Sequence, residues 1–95
     1  MELNIKAIHF SATERLQEFI EKKLAKIGKN NEDVLDAEVT LKVVKPETAM
    51  NKEAAIKLHM RGADIRASKV ADTFEEAVDA CIDSIKPQLE KAKNK

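Results

Sequence analysis

The sequence predicts an α+β fold: a β-α-β-β-β-α two-layer sandwich in which a four-stranded sheet carries both helices on one face. Three observations predict it. Four stretches alternate apolar and polar residues with the two-residue period of strands, two longer stretches repeat apolar residues at helical spacing, and 95 residues suffice for one core. An amphipathic helix must bury its stripe, and a sheet covered on one side offers the place.

Residues 2 to 8 open the chain as a strand, with Leu3, Ile5 and Ala7 on one side and Glu2, Asn4 and Lys6 on the other. Ser11 is the expected N-cap of a helix from about 12 to 27, with Glu14 completing a capping box. Leu16, Phe19, Ile20, Leu24 and Ile27 fall on one face of that helix, and Gly28 with Asn30-Asn31 is expected to stop it. The two-residue period returns from Asp36 to Lys45, placing Ala37, Val39, Leu41 and Val43 inward, and Pro46 ends the strand. Glu47 to Glu53 read as a loop. A third strand carries Ala54, Ile56, Leu58 and Met60 on its inner face and Lys57, His59 and Arg61 on the other. Gly62 turns the chain into a fourth strand with Ala63, Ile65 and Ala67 inward, an antiparallel hairpin.

Asp72 or Thr73 caps the last helix, and Thr73 with Glu76 forms a second capping box. Its stripe is Phe74, Ala77, Val78, Cys81, Ile82, Ile85 and Leu89. Pro87 has no amide hydrogen for the carbonyl of Asp83, so a kink, or an end and restart, is expected there. The predicted core joins Leu16, Phe19, Ile20, Val78, Cys81 and Ile85 to the inward strand residues.

Composition narrows the function classes. Hydrophobic residues make up 43% and charged residues 36%, which excludes collagen-like and low-complexity chains and argues against wholesale disorder. Seventeen basic residues balance seventeen acidic ones, so a polyanion partner would be met by a local patch. The single Cys81 predicts no intramolecular disulfide and a reducing compartment. Met1-Glu2-Leu3-Asn4 lacks a secretion signal's basic and apolar regions, and no stretch has the length of a membrane span. A cytoplasmic chain of one domain, residues 1–95, with no membrane and no disulfide partner, is the expectation.

Charge placement supplies the candidate site. Arg15, Lys22, Lys26 and Lys29 share one flank of the first helix, with Glu14, Glu18 and Glu21 on the other. An ordinary solvated face with a Glu18–Lys22 pair explains the same pattern. In the last helix Asp72, Glu75, Glu76, Asp79 and Asp83 precede Lys86, Lys91, Lys93 and Lys95, an order that complements the helix dipole and also leaves a basic tip. Lysines without interleaved aromatics suit phosphate contact over base reading. Lys57, Arg61, Arg66 and Lys69 are further exposed cations of the sheet.

Catalytic readings are thin. His9 and His59 are far apart, and His59 has no evident local carboxylate or cysteine partner. Cys81 lies on an apolar stripe, as a buried inert thiol would. Asp79 and Asp83 are one turn apart, but two carboxylates do not make a metal site. No phosphate loop, His-Glu-x-x-His motif or paired-cysteine zinc pattern is present. No cofactor or metal is expected.

Across the chain, Leu3-Asn4-Ile5, Thr13, Leu16, Glu18-Phe19, Lys23, Ala25-Lys26, Leu41-Lys42-Val43 and Lys45 stand in one ordered series. Gly62, Ile65, Ala67-Ser68, Ala77, Asp79, Ile82-Asp83, Gln88-Leu89, Lys91 and Lys93 continue it. In this series the chain resembles the short-form ribosome hibernation promoting factors and ribosome-associated translation inhibitors. The resemblance implies the β-α-β-β-β-α fold, a non-enzymatic role in translation inhibition under stress, and binding in the messenger and transfer RNA channel of the small ribosomal subunit. It assigns Lys23, Lys26, Lys91 and Lys93 to ribosomal RNA by matched position. Arg15, Lys22, Lys86 and Lys95 join through the patch argument alone. The chain departs from the family at Thr73-Phe74-Glu75, where Asp-Met-Tyr is usual, at Pro87, often a basic position, and in a longer loop around 47–53. The further domain through which long forms pair ribosomes is not part of this sequence. Two other classes fit the residues: a regulatory module binding another protein or a different structured RNA through the same lysines, and a small enzyme using His59 or Cys81.

Overall fold

The structure is a computed structural model and describes residues 2–8, 10–44 and 51–93, for Lys93 the backbone alone. The elements follow the expected order: β1 (Glu2–Ala7), α1 (Glu14–Asn30), β2 (Val34–Val43), β3 (Lys52–Met60), β4 (Ala63–Ala71) and α2 (Phe74–Lys93). The sheet has the order β1-β2-β3-β4, with β1 parallel to β2 and the other neighbours antiparallel.

The core forms where the apolar periods meet. Ala37, Val39 and Leu41 of β2 and Ala54, Ile56 and Leu58 of β3 are buried beneath Ile20 and Leu24 of α1 and Ala77, Val78, Cys81 and Ile85 of α2. Residues of opposite phase, among them Glu38, Lys57 and Arg66, stand on the open face. Phe19 departs from the expectation of full burial: it is half-buried and packs at the edge of the core.

The helix starts differ in one case from the sequence reading. Thr13, not Ser11, caps α1, because its hydroxyl accepts the Leu16 amide at 3.1 Å while its carbonyl accepts the Gln17 amide at 2.9 Å. Thr73 caps α2 as expected, its hydroxyl accepting the Glu76 amide at 3.1 Å. Gly28 does not stop α1, which runs on to Asn30. Its end is finished by the Asn31 side-chain amide, which donates to the Ile27 carbonyl at 2.8 Å, with Asn31 in extended backbone at φ −138°. Pro87 sits inside α2 without ending it.

The strands correct other boundaries. β2 begins two residues early, and a register shift between Val34 and Asp36 keeps Val34 buried while exposing Leu35. Val43, expected inward, is 37% exposed at the strand's far end. Lys52 and Glu53 belong to β3, whereas Lys45, expected to close the second strand, Pro46, and the expected loop from Glu47 to Met50 lie outside the described residues. Ala63, expected inward, is exposed at the start of β4, which continues to Ala71. Gly62 makes the turn at φ +83°, a left-handed conformation that glycine adopts without a Cβ clash.

The topology sets the helix directions. β1, β2 and β4 run the same way, since β3 reverses direction between the last two. α1 must return to begin β2 parallel to β1, and α2 folds back over β4 and β3. The two helices therefore run side by side in the same direction.

Candidate nucleic-acid interface

α1 and α2 enclose an open cleft of about 610 Å³. Three of the expected site residues meet on its walls: Lys23 and Lys26 from α1 and Lys86 from α2. Helical spacing explains the convergence, because positions three and four apart share a flank. The same spacing brings Asp79, Asp83 and Glu90 onto the walls, so the cleft holds as many carboxylates as ammonium groups. The sequence pattern places Asp79 and Asp83 one turn apart in the acidic first half of α2 without showing that they face α1. Their spacing with Lys86 and Glu90 was the available signal, but only the packed pair of helices shows that this flank faces α1.

Lys23 is the most constrained of these cations. Its Nζ lies 3.2 Å from an Asp79 carboxylate oxygen and 5.4 Å from the centre of the Phe19 ring. The ion pair is partly exposed and contributes only about 0.2–1 kcal/mol, yet it fixes where the ammonium group points. Lys26 and Lys86 are exposed, as are Lys22, Lys91 and Arg15. Lys22 and Arg15 are not part of the cleft walls, and Arg15 lies about 16 Å before Lys26 along the axis of α1. Of the expected residues, the cleft walls hold Lys23, Lys26 and Lys86. The side chain of Lys93 and all of Lys95 lie outside the described residues.

Asn31 stands at the end of α1 on the cleft wall and is 8% exposed. Its amide nitrogen serves the Ile27 carbonyl, but its Oδ1 is buried without a hydrogen-bond partner among the described residues. The sequence reading treated Asn31 only as a helix breaker.

Lys57 and Arg66 do not extend the lysine ridge. Glu38, Lys57 and Arg66 are successive register partners across β2, β3 and β4 on the open face, with the sheet between them and the helices. Beside them Thr40, Ala55 and Ser68 floor a shallow hollow of about 420 Å³. Glu38 stands opposite the cation Lys57, whereas Lys57 and Arg66 are like-charged neighbours on this solvated face.

The structure also separates the groups named for catalysis. His59 has a carboxylate partner that sequence spacing concealed: its Nδ1 lies 2.6 Å from an Asp36 oxygen, across the β2–β3 register. This pair stands on the open face. Cys81 is buried on the other side of the sheet, where its thiol donates to the Ala54 carbonyl at 3.1 Å. Burial, the largest cause, pushes that thiol above its ordinary value of 9.0 and keeps it protonated and unreactive. His9 lies outside the described residues. Among the described residues no group of three His, Cys, Asp or Glu can hold a metal ion, and no helix is long and apolar enough to cross a membrane.

One aromatic contact escaped the sequence reading. Phe10, from the β1–α1 connection, stacks on Phe74 at the start of α2, with ring centres 5.0 Å apart and planes 9° apart. The pair ties the two helix starts together at the Thr73-Phe74-Glu75 corner. Two phenylalanines 64 positions apart give no local signal of contact.

The fold is that of a small α+β module with a cleft of mixed charge between its two helices. Residues 3–95 match the model of the family described as Sigma 54 modulation protein / S30EA ribosomal protein, and the chain belongs to that family. The ribosome hibernation promoting factor of Escherichia coli K12 is 34% identical over 95 residues, covering 100% of this chain and 96% of the relative. The protein of the same name from Pseudomonas putida KT2440 is 26% identical, covering 100% of this chain and 89% of its own. Among solved structures, a ribosomal subunit interface protein from Coxiella burnetii superposes with a TM-score of 0.87 at 21% identity, covering both chains completely. The N-terminal domain of Protein Y from Thermus thermophilus gives 0.79 at 22% identity, covering 96% of this chain and 98% of that domain. At these identities the two structures bear on the fold alone.

Proposed function

We propose that this protein is a short-form hibernation factor that binds the small ribosomal subunit in the messenger and transfer RNA channel and inhibits translation by occupying it. The observation that carries this reading is the end-to-end likeness to the ribosome hibernation promoting factor of E. coli, 34% identical over 95 residues. The helix layer suits the role, since its exposed lysines can neutralise phosphates of ribosomal RNA while the folded body fills space that RNA substrates need. Lys23, Lys26, Lys91 and Lys93 carry the principal contacts, with Lys22, Lys86, Lys95 and Arg15 around them. The setting is cytoplasmic, and the occasion is stress.

The test is sedimentation of the purified protein with small subunits, large subunits and free structured RNA. Selective binding to small subunits supports the reading, and equal binding to every RNA favours a general RNA-binding module. Changing Lys23, Lys26, Lys91 and Lys93 together to glutamine should weaken small-subunit binding and flatten the dependence of log affinity on log salt by up to about 3 units. Glu18→Gln and Glu21→Gln, on the other flank of α1, are the controls. A folded fourfold variant with unchanged affinity, salt slope and inhibition of translation would remove these lysines from the interface.

A further inference from the structure

A surface built only to hold phosphate would keep carboxylates away from it, because each one repels the ligand. The α1–α2 cleft does the reverse. Lys23 and Lys26 of α1 line one opening with Asp79, Asp83, Lys86 and Glu90 of α2, and Lys23 is held 3.2 Å from Asp79. The walls are formally neutral, so the cleft has little attraction for a uniform polyanion.

Ionised carboxylates only accept hydrogen bonds, and ammonium groups only donate them. A ligand matching both has anionic oxygens beside hydrogen-bond donors. RNA presents this combination, with phosphates flanked by 2′-hydroxyl groups that can donate. DNA of the same sequence has the same phosphates and lacks the 2′-hydroxyl donors. Asn31 adds a further acceptor at the cleft wall, with Oδ1 buried and unpartnered among the described residues.

We infer that the cleft between α1 and α2 selects RNA over other polyanions: Lys23, Lys26 and Lys86 take phosphates, while Asp79, Asp83 and Glu90 accept hydrogen bonds from adjacent RNA 2′-hydroxyl groups. The inference rests on the proposed function and adds the specificity-determining residues to it. The carboxylates lower affinity for phosphate as such, and their contribution is discrimination.

The experiment measures affinities for an RNA hairpin, a DNA hairpin of the same sequence and heparin, using the wild-type chain and the variant Asp79→Ala, Asp83→Ala, Glu90→Ala. Small-subunit binding is measured alongside. The wild type should prefer RNA to DNA. The variant should bind heparin and DNA more tightly, and its RNA-to-DNA ratio should fall by about tenfold or more, the scale of one or two lost hydrogen bonds. Asp83→Ala alone, at an exposed position, gives the same direction with less demand on folding, which circular dichroism checks. Small-subunit binding with an unchanged RNA-to-DNA ratio in both variants overturns the inference and leaves the proposed function standing. Absence of wild-type binding to both small subunits and the RNA hairpin overturns the two together.

Discussion

α1 and α2 solve the same local problem in the same way and then diverge. Each begins with a threonine whose hydroxyl accepts the amide three residues on at 3.1 Å, and each buries an apolar stripe against the sheet. α1 arranges much of its charge by flank, whereas α2 places carboxylates early and lysines late. Taken singly, these are two ways of solvating a helix and complementing its dipole. Laid side by side in one direction, they bring the lysines of α1 against the carboxylates of α2 and make a cleft of mixed charge. Equal solutions to local stability can therefore contribute unequally to a surface.

The comparison presumes a common floor, and removing part of that floor should have the largest effect. Leu41 is fully buried on β2, and Leu41→Ala should cost about 2–5 kcal/mol by denaturant unfolding. A loss under about 1 kcal/mol would show that the helices do not depend on the shared core in this way. Next come the caps. Thr13→Ala and Thr73→Ala should each cost about 1 kcal/mol, and clearly unequal losses would break the equivalence of the two helix starts.

A smaller effect distinguishes α2, which carries the buried thiol. Because folding raises the pKa of Cys81, its contribution to stability is complete below 9.0 and is lost as pH rises from there through the higher folded value. Unfolding free energies between about pH 8 and 10 should fall more steeply for the wild type than for Cys81→Ala. Parallel curves would contradict the burial of the thiol. The smallest effect sharpens the contrast within α1. Lys26→Gln should reduce the salt dependence of small-subunit binding by up to about 1 unit, and Lys23→Gln by less, because Asp79 already offsets the Lys23 charge. A larger change at Lys23 would mean that the ion pair opens on binding.

Most of the fold was legible because its causes are local. The two-residue period of Ala37, Val39 and Leu41 and the helical spacing of Leu16, Ile20, Leu24 and Ile27 each state which side of an element is buried. The errors at the two ends of α1 lay where two local signals competed. Ser11 and Thr13 are both good caps, and the observed start puts Thr13 at the cap while leaving Leu16 buried on α1. Gly28 and Asn31 both end helices, and α1 takes the later one, whose side chain satisfies a carbonyl.

The sequence by itself determined the element order, most of the core positions and the placing of Cys81 on a buried stripe. Burial and periodicity act over a few residues and are written into neighbouring positions. The tertiary structure alone decided which charges became neighbours. Asp36 reached His59 through strand register, Phe10 reached Phe74 across most of the chain, and Asp79 reached Lys23 when two helices packed in the same direction. Lys57 and Arg66 were left on the far side of the sheet from the cleft by the same packing. Contacts of this kind depend on register, helix direction and rotation about the helix axis, which arise only when elements assemble, so no local spacing contains them.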